Sequence, residues 1–153
     1  MSNSQIKFEH DATSPSILAG PCAIEGPQTI EIAQQIAEQL QGLNINWAFK
    51  ASFDKANRTS SDSARGVGIE HGLEILAQIR ETLQVPIVTD VHLPEQCKSV
   101  AEIADVLQIP AFLCRQTDLL HAAAETGAWV NIKKGQFLAP AAMQHAASKV
   151  EAR

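Results

Sequence analysis

The chain has 153 residues, of which 45% are hydrophobic and 19% are charged, and its formal net charge is −5. This composition is that of a globular domain with a buried core, which excludes a disordered or low-complexity chain. The acidic balance argues against nucleic acid as a partner, because binding to phosphate backbones needs a basic surface. There is no signal-peptide pattern, no apolar run long enough to span a membrane and no paired CxxC motif. We therefore expect a cytoplasmic protein without membrane or nucleic-acid partners.

Short apolar runs alternate with helical patterns along the chain. Strands are predicted over residues 16–20, 45–50, 85–90, 106–109 and 129–132. Helices are predicted from Pro27 to Gly42, around Leu76, Ile79 and Leu83, over 94–103 and 119–126, and from about Pro140 onward. The segment 52–68 is too polar to lie in the core.

This alternation predicts βαβ units and a parallel sheet, hence an α/β fold. The strands are almost continuously apolar, as expected when both faces of a sheet are covered. A (β/α)8 barrel and an open doubly wound sheet both fit. No GxGxxG motif follows the first strand, which weakens a dinucleotide-binding interpretation. Five βα units are too few to close an eight-stranded barrel, which takes about 250 residues.

Nearly every predicted strand ends on a reactive or charged residue. In chain order these are Cys22, Lys50, Asp90 with His92, Arg115, and Lys133 with Lys134. In a barrel the carboxyl ends of the strands form one face, and in an open sheet they form one edge, so these side chains are predicted to converge in either architecture.

The predicted convergence would be strongly cationic in an otherwise acidic protein. It contains six of the twelve basic residues: Lys50, Lys55, Arg58, Arg115, Lys133 and Lys134. Clustered cations attract and orient anions, and arginine grips phosphate or carboxylate with two hydrogen bonds. The sequence therefore predicts a site for small phosphorylated substrates.

Each of these signals has a plainer interpretation when it is taken alone. A strand-end lysine is usually just solvated, and a lone cysteine such as Cys22 usually packs as a small buried residue. The run from Asp90 to His92 fits either a turn or an acid–base pair. Four further residues are predicted to be structural: Cys97, Cys114, Trp47 and Trp129.

Longer motifs resemble those of one enzyme family. The segment KASFDKANRTS, residues 50–60, resembles the signature of the 3-deoxy-D-manno-octulosonate 8-phosphate synthases, also called 2-dehydro-3-deoxyphosphooctonate aldolases. Similar runs follow the family order at 20–25, 89–94, 108–120 and 131–137, so the resemblance covers residues 14–142. The related heptulosonate 7-phosphate synthases carry Lys-Pro-Arg-Thr-Ser in the signature. Asn57 therefore points to the eight-carbon product.

The resemblance implies a fold and a reaction. The family is a (β/α)8 TIM barrel that assembles as a homotetramer, and this chain would supply its first five βα units, truncated, over residues 14–153 after an N-terminal extension over 1–13. The parent enzyme condenses phosphoenolpyruvate with arabinose 5-phosphate and water, and the product feeds the lipopolysaccharide inner core. Alternatives are the heptulosonate synthase or a non-catalytic remnant that binds phosphorylated ligands. These residues alone are expected to be inactive.

The resemblance also implies roles for individual residues. Lys55 and Lys133 would contact phosphoenolpyruvate, and Asp90 would lie close to the reacting carbons; these three are the predicted catalytic residues. The predicted substrate-binding residues are Lys50, Ser52, Asn57, Arg58, Thr59, Gln108, Ala111 and Arg115. Asn57 would hold sugar hydroxyls, and Arg58 with Thr59 would hold the sugar phosphate.

The family divides at the position of Cys22. Members with cysteine there depend on a metal, and members with asparagine do not. The resemblance therefore makes Cys22 a ligand of a divalent ion such as zinc, iron or manganese, which suits a thiolate. The other ligands, a His, a Glu and an Asp, would come from βα units that this chain lacks, so the metal is expected in the full-length parent.

Overall fold

The computed structural model describes Phe8 and residues 13–153. Five strands alternate with helices: β1 Ser16–Ala19, β2 Asn46–Lys50, β3 Ile87–Asp90, β4 Val106–Ile109 and β5 Trp129–Ile132. The helices are α1 Gln28–Leu40, α2 Ile69–Leu83, α3 Pro94–Ala101, α4 Thr117–Ala124 and α5 Gln144–Glu151. The predicted α/β alternation is confirmed, whereas closure into an eight-stranded barrel stays a prediction. No helix in this described part is long and apolar enough to cross a membrane.

The structure consists of two compact units, the first ending at Val88 and the second beginning at Thr89. In the first unit β2 pairs in parallel with β1, from Ser16 opposite Asn46 to Ala19 opposite Phe49. On its other side β2 pairs in parallel with the beginning of β3. The carboxyl ends of β1 and β2 therefore lie side by side.

The core of the first unit comes from β2, β3 and the inner stripe of α2. Ile75, Leu76 and Ile79 are buried at the spacing of one helix face. Trp47 is half-buried and donates its indole N–H to the carbonyl oxygen of Ala19, at 3.1 Å. This bond ties β2 to the end of β1.

The polar segment after β2 is partly buried, contrary to the expectation from its composition. Ser52 and Phe53 are 0% and 1% exposed. Phe53 packs against Gly72 of α2, where a Cβ atom would collide with the Phe53 side chain. The missing side chain at Gly72 therefore lets α2 begin directly against the segment that precedes it.

In the second unit β4 pairs in parallel with β5, from Val106 opposite Trp129 to Ile109 opposite Ile132. Leu107, Leu119 and Leu120 are buried, and α4 packs against α3 and α5. The last helix begins later than predicted, because a 3-10 turn over Pro140–Met143 precedes α5.

The prediction that Trp129 lies in the core is wrong. Its side chain is 57% exposed, because it belongs to β5, which pairs only with β4 within residues 13–153. The predicted N-terminal extension over 1–13 lies almost entirely outside the described residues.

Candidate active site

The loop that carries Cys22 is held against the end of β2. A Cβ atom at Gly20 would overlap the carbonyl oxygen of Lys50, so only glycine allows this approach. Beyond it, Ala23 forms a parallel bridge with Ser52, and the Ile24 N–H donates to the Ser52 carbonyl oxygen at 2.9 Å. The Cys22 side chain is exposed beside the residues that leave β2.

Lys50 and Ser52 are joined directly. The Lys50 ammonium donates a hydrogen bond of 2.7 Å to the hydroxyl oxygen of Ser52, which is fully buried. The bond holds the lysine head group at the end of β2 instead of leaving it to swing in solvent. Both residues were predicted to bind substrate, and the structure brings them together.

The loop between β2 and α2 carries four more of the predicted residues. Lys55 is half-buried, whereas Asn57, Arg58 and Thr59 are exposed. Arg58 donates through Nε to the Ala64 carbonyl oxygen at 3.1 Å, which orients the guanidinium and leaves its terminal nitrogens available. An arginine held in this way can present a two-pronged donor to a phosphate.

Asp90 and His92 form a pair at the end of β3. His92 Nε2 lies 3.8 Å from Asp90 Oδ2, and these side chains are 13% and 7% exposed. The His92 backbone N–H donates to Gln96 Oε1 at 2.8 Å, which fixes the turn into α3. Two nearly buried titratable groups at a strand end suit proton transfer, so His92 joins Asp90 as a candidate.

Gln108 has a partner that the sequence did not single out. Asn131 Nδ2 donates to Gln108 Oε1 at 3.2 Å across paired positions of β4 and β5. Each residue is the penultimate one of its predicted strand, and this shared position was the one sequence feature that could have indicated that they pair. Ala111 follows in a 3-10 turn over Ala111–Leu113 and is half-buried.

The two lysines after β5 differ. The Lys133 N–H donates to the Ile109 carbonyl oxygen at 3.0 Å, and its side chain is exposed and makes no hydrogen bond to the described residues. Lys134 instead donates from Nζ to the carbonyl oxygens of Gly135 and Leu138, at 2.9 and 3.1 Å. Lys134 therefore stabilises the following loop, and Lys133 is the one that can meet a ligand.

Arg115 is exposed after the turn that follows β4. Its carbonyl oxygen accepts a bond of 3.4 Å from Lys149 Nζ, which also donates to Thr117 Oγ1 at 2.6 Å. These bonds anchor the backbone at Arg115 to α5, and the guanidinium makes no hydrogen bond or ion pair with the described residues.

The described residues do not by themselves fit a metal centre. No group of three or more His, Cys, Asp or Glu able to hold an ion lies among them, and a zinc site normally uses about three protein ligands even when it is catalytic.

The three cysteines differ in exposure. Cys22 is exposed, whereas Cys97 and Cys114 are buried, in line with their predicted structural role. Burial raises the pKa of the Cys97 thiol to about 11.

This difference predicts selective alkylation. At pH 8, iodoacetamide should modify Cys22 and leave Cys97 intact, because a thiol of pKa about 11 is only about 0.1% thiolate at that pH. Peptide mass spectrometry of native and urea-unfolded protein checks this. Equal labelling of both cysteines in the native protein would contradict the burial of Cys97.

Comparison with known proteins identifies the family. The sequence profile of the DAHP synthetase I family matches residues 3–153. The chain belongs to this family. The match covers both units and every candidate residue described above.

Similar curated proteins carry a more specific name. A 2-dehydro-3-deoxyphosphooctonate aldolase of Methylobacterium radiotolerans is 60% identical over 88% of this chain and 48% of its own length. Proteins of the same name from Rickettsia bellii and Bradyrhizobium diazoefficiens are 56% and 53% identical, over 89% and 95% of this chain and 50% and 52% of their own lengths. The chain thus spans about half the length of the curated relatives that it matches.

Proposed function

We propose that the whole protein, meaning a chain of the relatives' length that contains these residues, is a 3-deoxy-D-manno-octulosonate 8-phosphate synthase. It would condense phosphoenolpyruvate with arabinose 5-phosphate and water, and release inorganic phosphate. The names of the relatives support this. The structural observation that carries it is the exposed run of Asn57, Arg58 and Thr59 beside the half-buried Lys55.

The reaction needs orientation and charge stabilisation more than covalent help from the protein. C3 of phosphoenolpyruvate attacks the sugar aldehyde, C2 becomes electron-poor and adds water, and phosphate leaves by C–O cleavage. Lys55 and Lys133 would hold the carboxylate and phosphate of phosphoenolpyruvate, and Arg58 the sugar phosphate. Asp90 with His92 would hold or move the proton of the attacking water.

Sugar-dependent phosphate release tests the reaction class. The whole protein should release phosphate from phosphoenolpyruvate only when a sugar phosphate is present, because water adds only after C3 has bonded to the aldehyde. The measurement is a coupled phosphate assay with and without arabinose 5-phosphate. Phosphate release that ignores the sugar, or none with it, would contradict the proposal and favour a non-catalytic protein that binds phosphorylated ligands.

We further propose that Cys22 contributes one ligand to a divalent metal ion in the whole protein, whose other ligands lie outside this chain. Added Zn²⁺ should slow alkylation of Cys22, since a coordinated thiolate is a poor nucleophile, while Cys22→Ser should lower the bound metal measured by plasma mass spectrometry. Unchanged metal content in Cys22→Ser would contradict this role.

We also propose that the whole protein is a cytoplasmic homotetramer that acts in lipopolysaccharide synthesis.

A further inference from the structure

The segment between β2 and α2 folds back on itself as two adjacent stretches. The outgoing stretch runs over residues 53–58 and the returning stretch over 64–68. Gly68 N–H donates to the Phe53 carbonyl oxygen at 3.1 Å, and Lys55 N–H donates to the Arg65 carbonyl oxygen at 2.6 Å. The loop that presents the candidate ligand-binding residues is therefore internally bonded.

An ion pair with two hydrogen bonds links the outgoing stretch to the returning one. Arg65 donates from Nε to Asp54 Oδ1 at 2.8 Å and from Nη2 to Asp54 Oδ2 at 2.5 Å. Both nitrogens on the guanidinium edge that faces the carboxylate donate, and the geometry is the fork in which arginine binds carboxylates most specifically. The hydrogen bond from Arg65 to Asp54 and the charge of Asp54 raise the pKa of Arg65 above its ordinary value, so the guanidinium keeps its charge at neutral pH.

Arg65 is thus connected to the dipeptide Asp54–Lys55 twice, by its side chain and by its carbonyl oxygen. The next residue, Gly66, has a φ of +122°, and a Cβ atom there would lie 2.5 Å from the Phe53 carbonyl oxygen. The returning stretch therefore lies too close to the outgoing one for any side chain at that position. The pair and the glycine together fix the backbone on either side of Lys55.

Arg65 belongs to the same polar loop as Lys55 and Arg58, but its positive charge is compensated by a neighbouring carboxylate. Its carboxylate partner neutralises it, whereas Arg58 is held only through a backbone carbonyl. Asp54 cancels the charge that would attract a phosphate and already occupies two of the five N–H donors, so Arg65 is a weaker phosphate receptor than Arg58. Its contribution must come through the residues that it positions.

We propose that Arg65 and Asp54 are positioning residues, which hold Lys55 and Arg58 in the arrangement that receives a phosphorylated ligand, and that neither of the pair contacts the ligand. This inference rests on the proposed function for the identity of the ligand. Its physical basis is preorganisation: donors that are already oriented need not be ordered at the moment of binding.

Three variants of the whole protein test the pair. Arg65→Lys keeps the positive charge but loses the fork, and Asp54→Asn keeps the size but loses the carboxylate charge. The double variant Asp54→Arg with Arg65→Asp restores an ion pair of reversed polarity. The control is His71→Ala, which removes an exposed contact with Glu74 on α2, 3.2 Å long and outside the loop.

Arg65→Lys and Asp54→Asn should raise KM for phosphoenolpyruvate and for arabinose 5-phosphate about tenfold. The inhibition constant of inorganic phosphate should rise by the same factor, while kcat changes less than about threefold. The double variant should recover most of the loss, and the control should change neither constant. A collapse of kcat with KM and the affinity for inorganic phosphate both unchanged would overturn the positioning role in favour of direct catalysis, and unchanged constants would overturn it altogether.

Two readouts keep this test separate from the proposed reaction. Titration with inorganic phosphate followed by ³¹P NMR reports the site even in a protein that turns nothing over. Amide hydrogen exchange at Lys55 and Gly68 should speed up in Asp54→Asn, with the amides of α2 unaffected. Absent turnover with weakened phosphate binding in the variants would sink the reaction but keep the pair's role. Unchanged exchange and binding would sink the role whatever the reaction proves to be.

Discussion

Replacing Lys133 by alanine should lower kcat/KM of the whole protein by a factor of at least roughly 100, the lower range for losing one preorganised electrostatic contact. Lys133 follows β5, its backbone is fixed by a bond to Ile109, and its ammonium is exposed and without an intramolecular hydrogen bond in residues 13–153. A point charge held there can stabilise the negative charge on phosphoenolpyruvate as phosphate leaves. Steady-state kinetics of the purified variant measure the loss.

Two other lysines serve as controls for this substitution. Lys98→Ala removes an exposed lysine of α3 and should leave kcat/KM unchanged. Lys134→Ala removes the bonds to Gly135 and Leu138, so it should lower the melting temperature more than Lys133→Ala does. A Lys133→Ala enzyme with near-normal kcat/KM would show that Lys133 is only a solvated strand-end residue.

We expect the 153 residues by themselves to be inactive and not to form a monodisperse, cooperatively folded monomer. The reason is that β1 and β5 are edge strands, each of which lacks a second partner strand among the described residues. Ile17 and Leu18 of β1 are 37% and 38% exposed, and Trp129 of β5 is 57% exposed. Unpaired strands with apolar side chains invite association with other chains.

Size-exclusion chromatography with light scattering and thermal unfolding test this expectation. The predicted result is a broad or concentration-dependent size distribution without a sharp melting transition. A monodisperse monomer that unfolds cooperatively would contradict the folding part of the expectation. Turnover that persists after removal of any full-length protein would contradict the catalytic part.

The elements of the fold were predictable because their signals are local. The apolar runs at 106–109 and 129–132 coincide with β4 and β5, and the stripe of Leu76 and Ile79 lies on the buried face of α2. Trp129 was misjudged because exposure in a strand depends on its neighbours across the sheet, which its own residues do not reveal. Phe53 was missed in a polar segment because its burial depends on Gly72, distant in sequence.

The candidate site was predictable in its residue types and strand-end positions but not in its pairings. Its position after a strand grouped Lys134 with the predicted ligand-binding cations. The loop geometry shows instead that Lys134 donates to backbone carbonyl oxygens. In the same way, the partnership of Asn131 with Gln108 depends on the register between β4 and β5. The Asp54–Arg65 pair depends on how the loop doubles back, which no spacing rule specifies.

Competition between two sugar phosphates distinguishes an eight-carbon from a seven-carbon product. The whole protein is given phosphoenolpyruvate with equal concentrations of arabinose 5-phosphate and erythrose 4-phosphate, and the products are separated by mass. A site in which Asn57 bonds to sugar hydroxyls should reject an acceptor that does not match those hydroxyls. We predict that the eight-carbon product dominates. Equal or greater formation of the seven-carbon product would contradict it and assign the protein to the heptulosonate branch of the family.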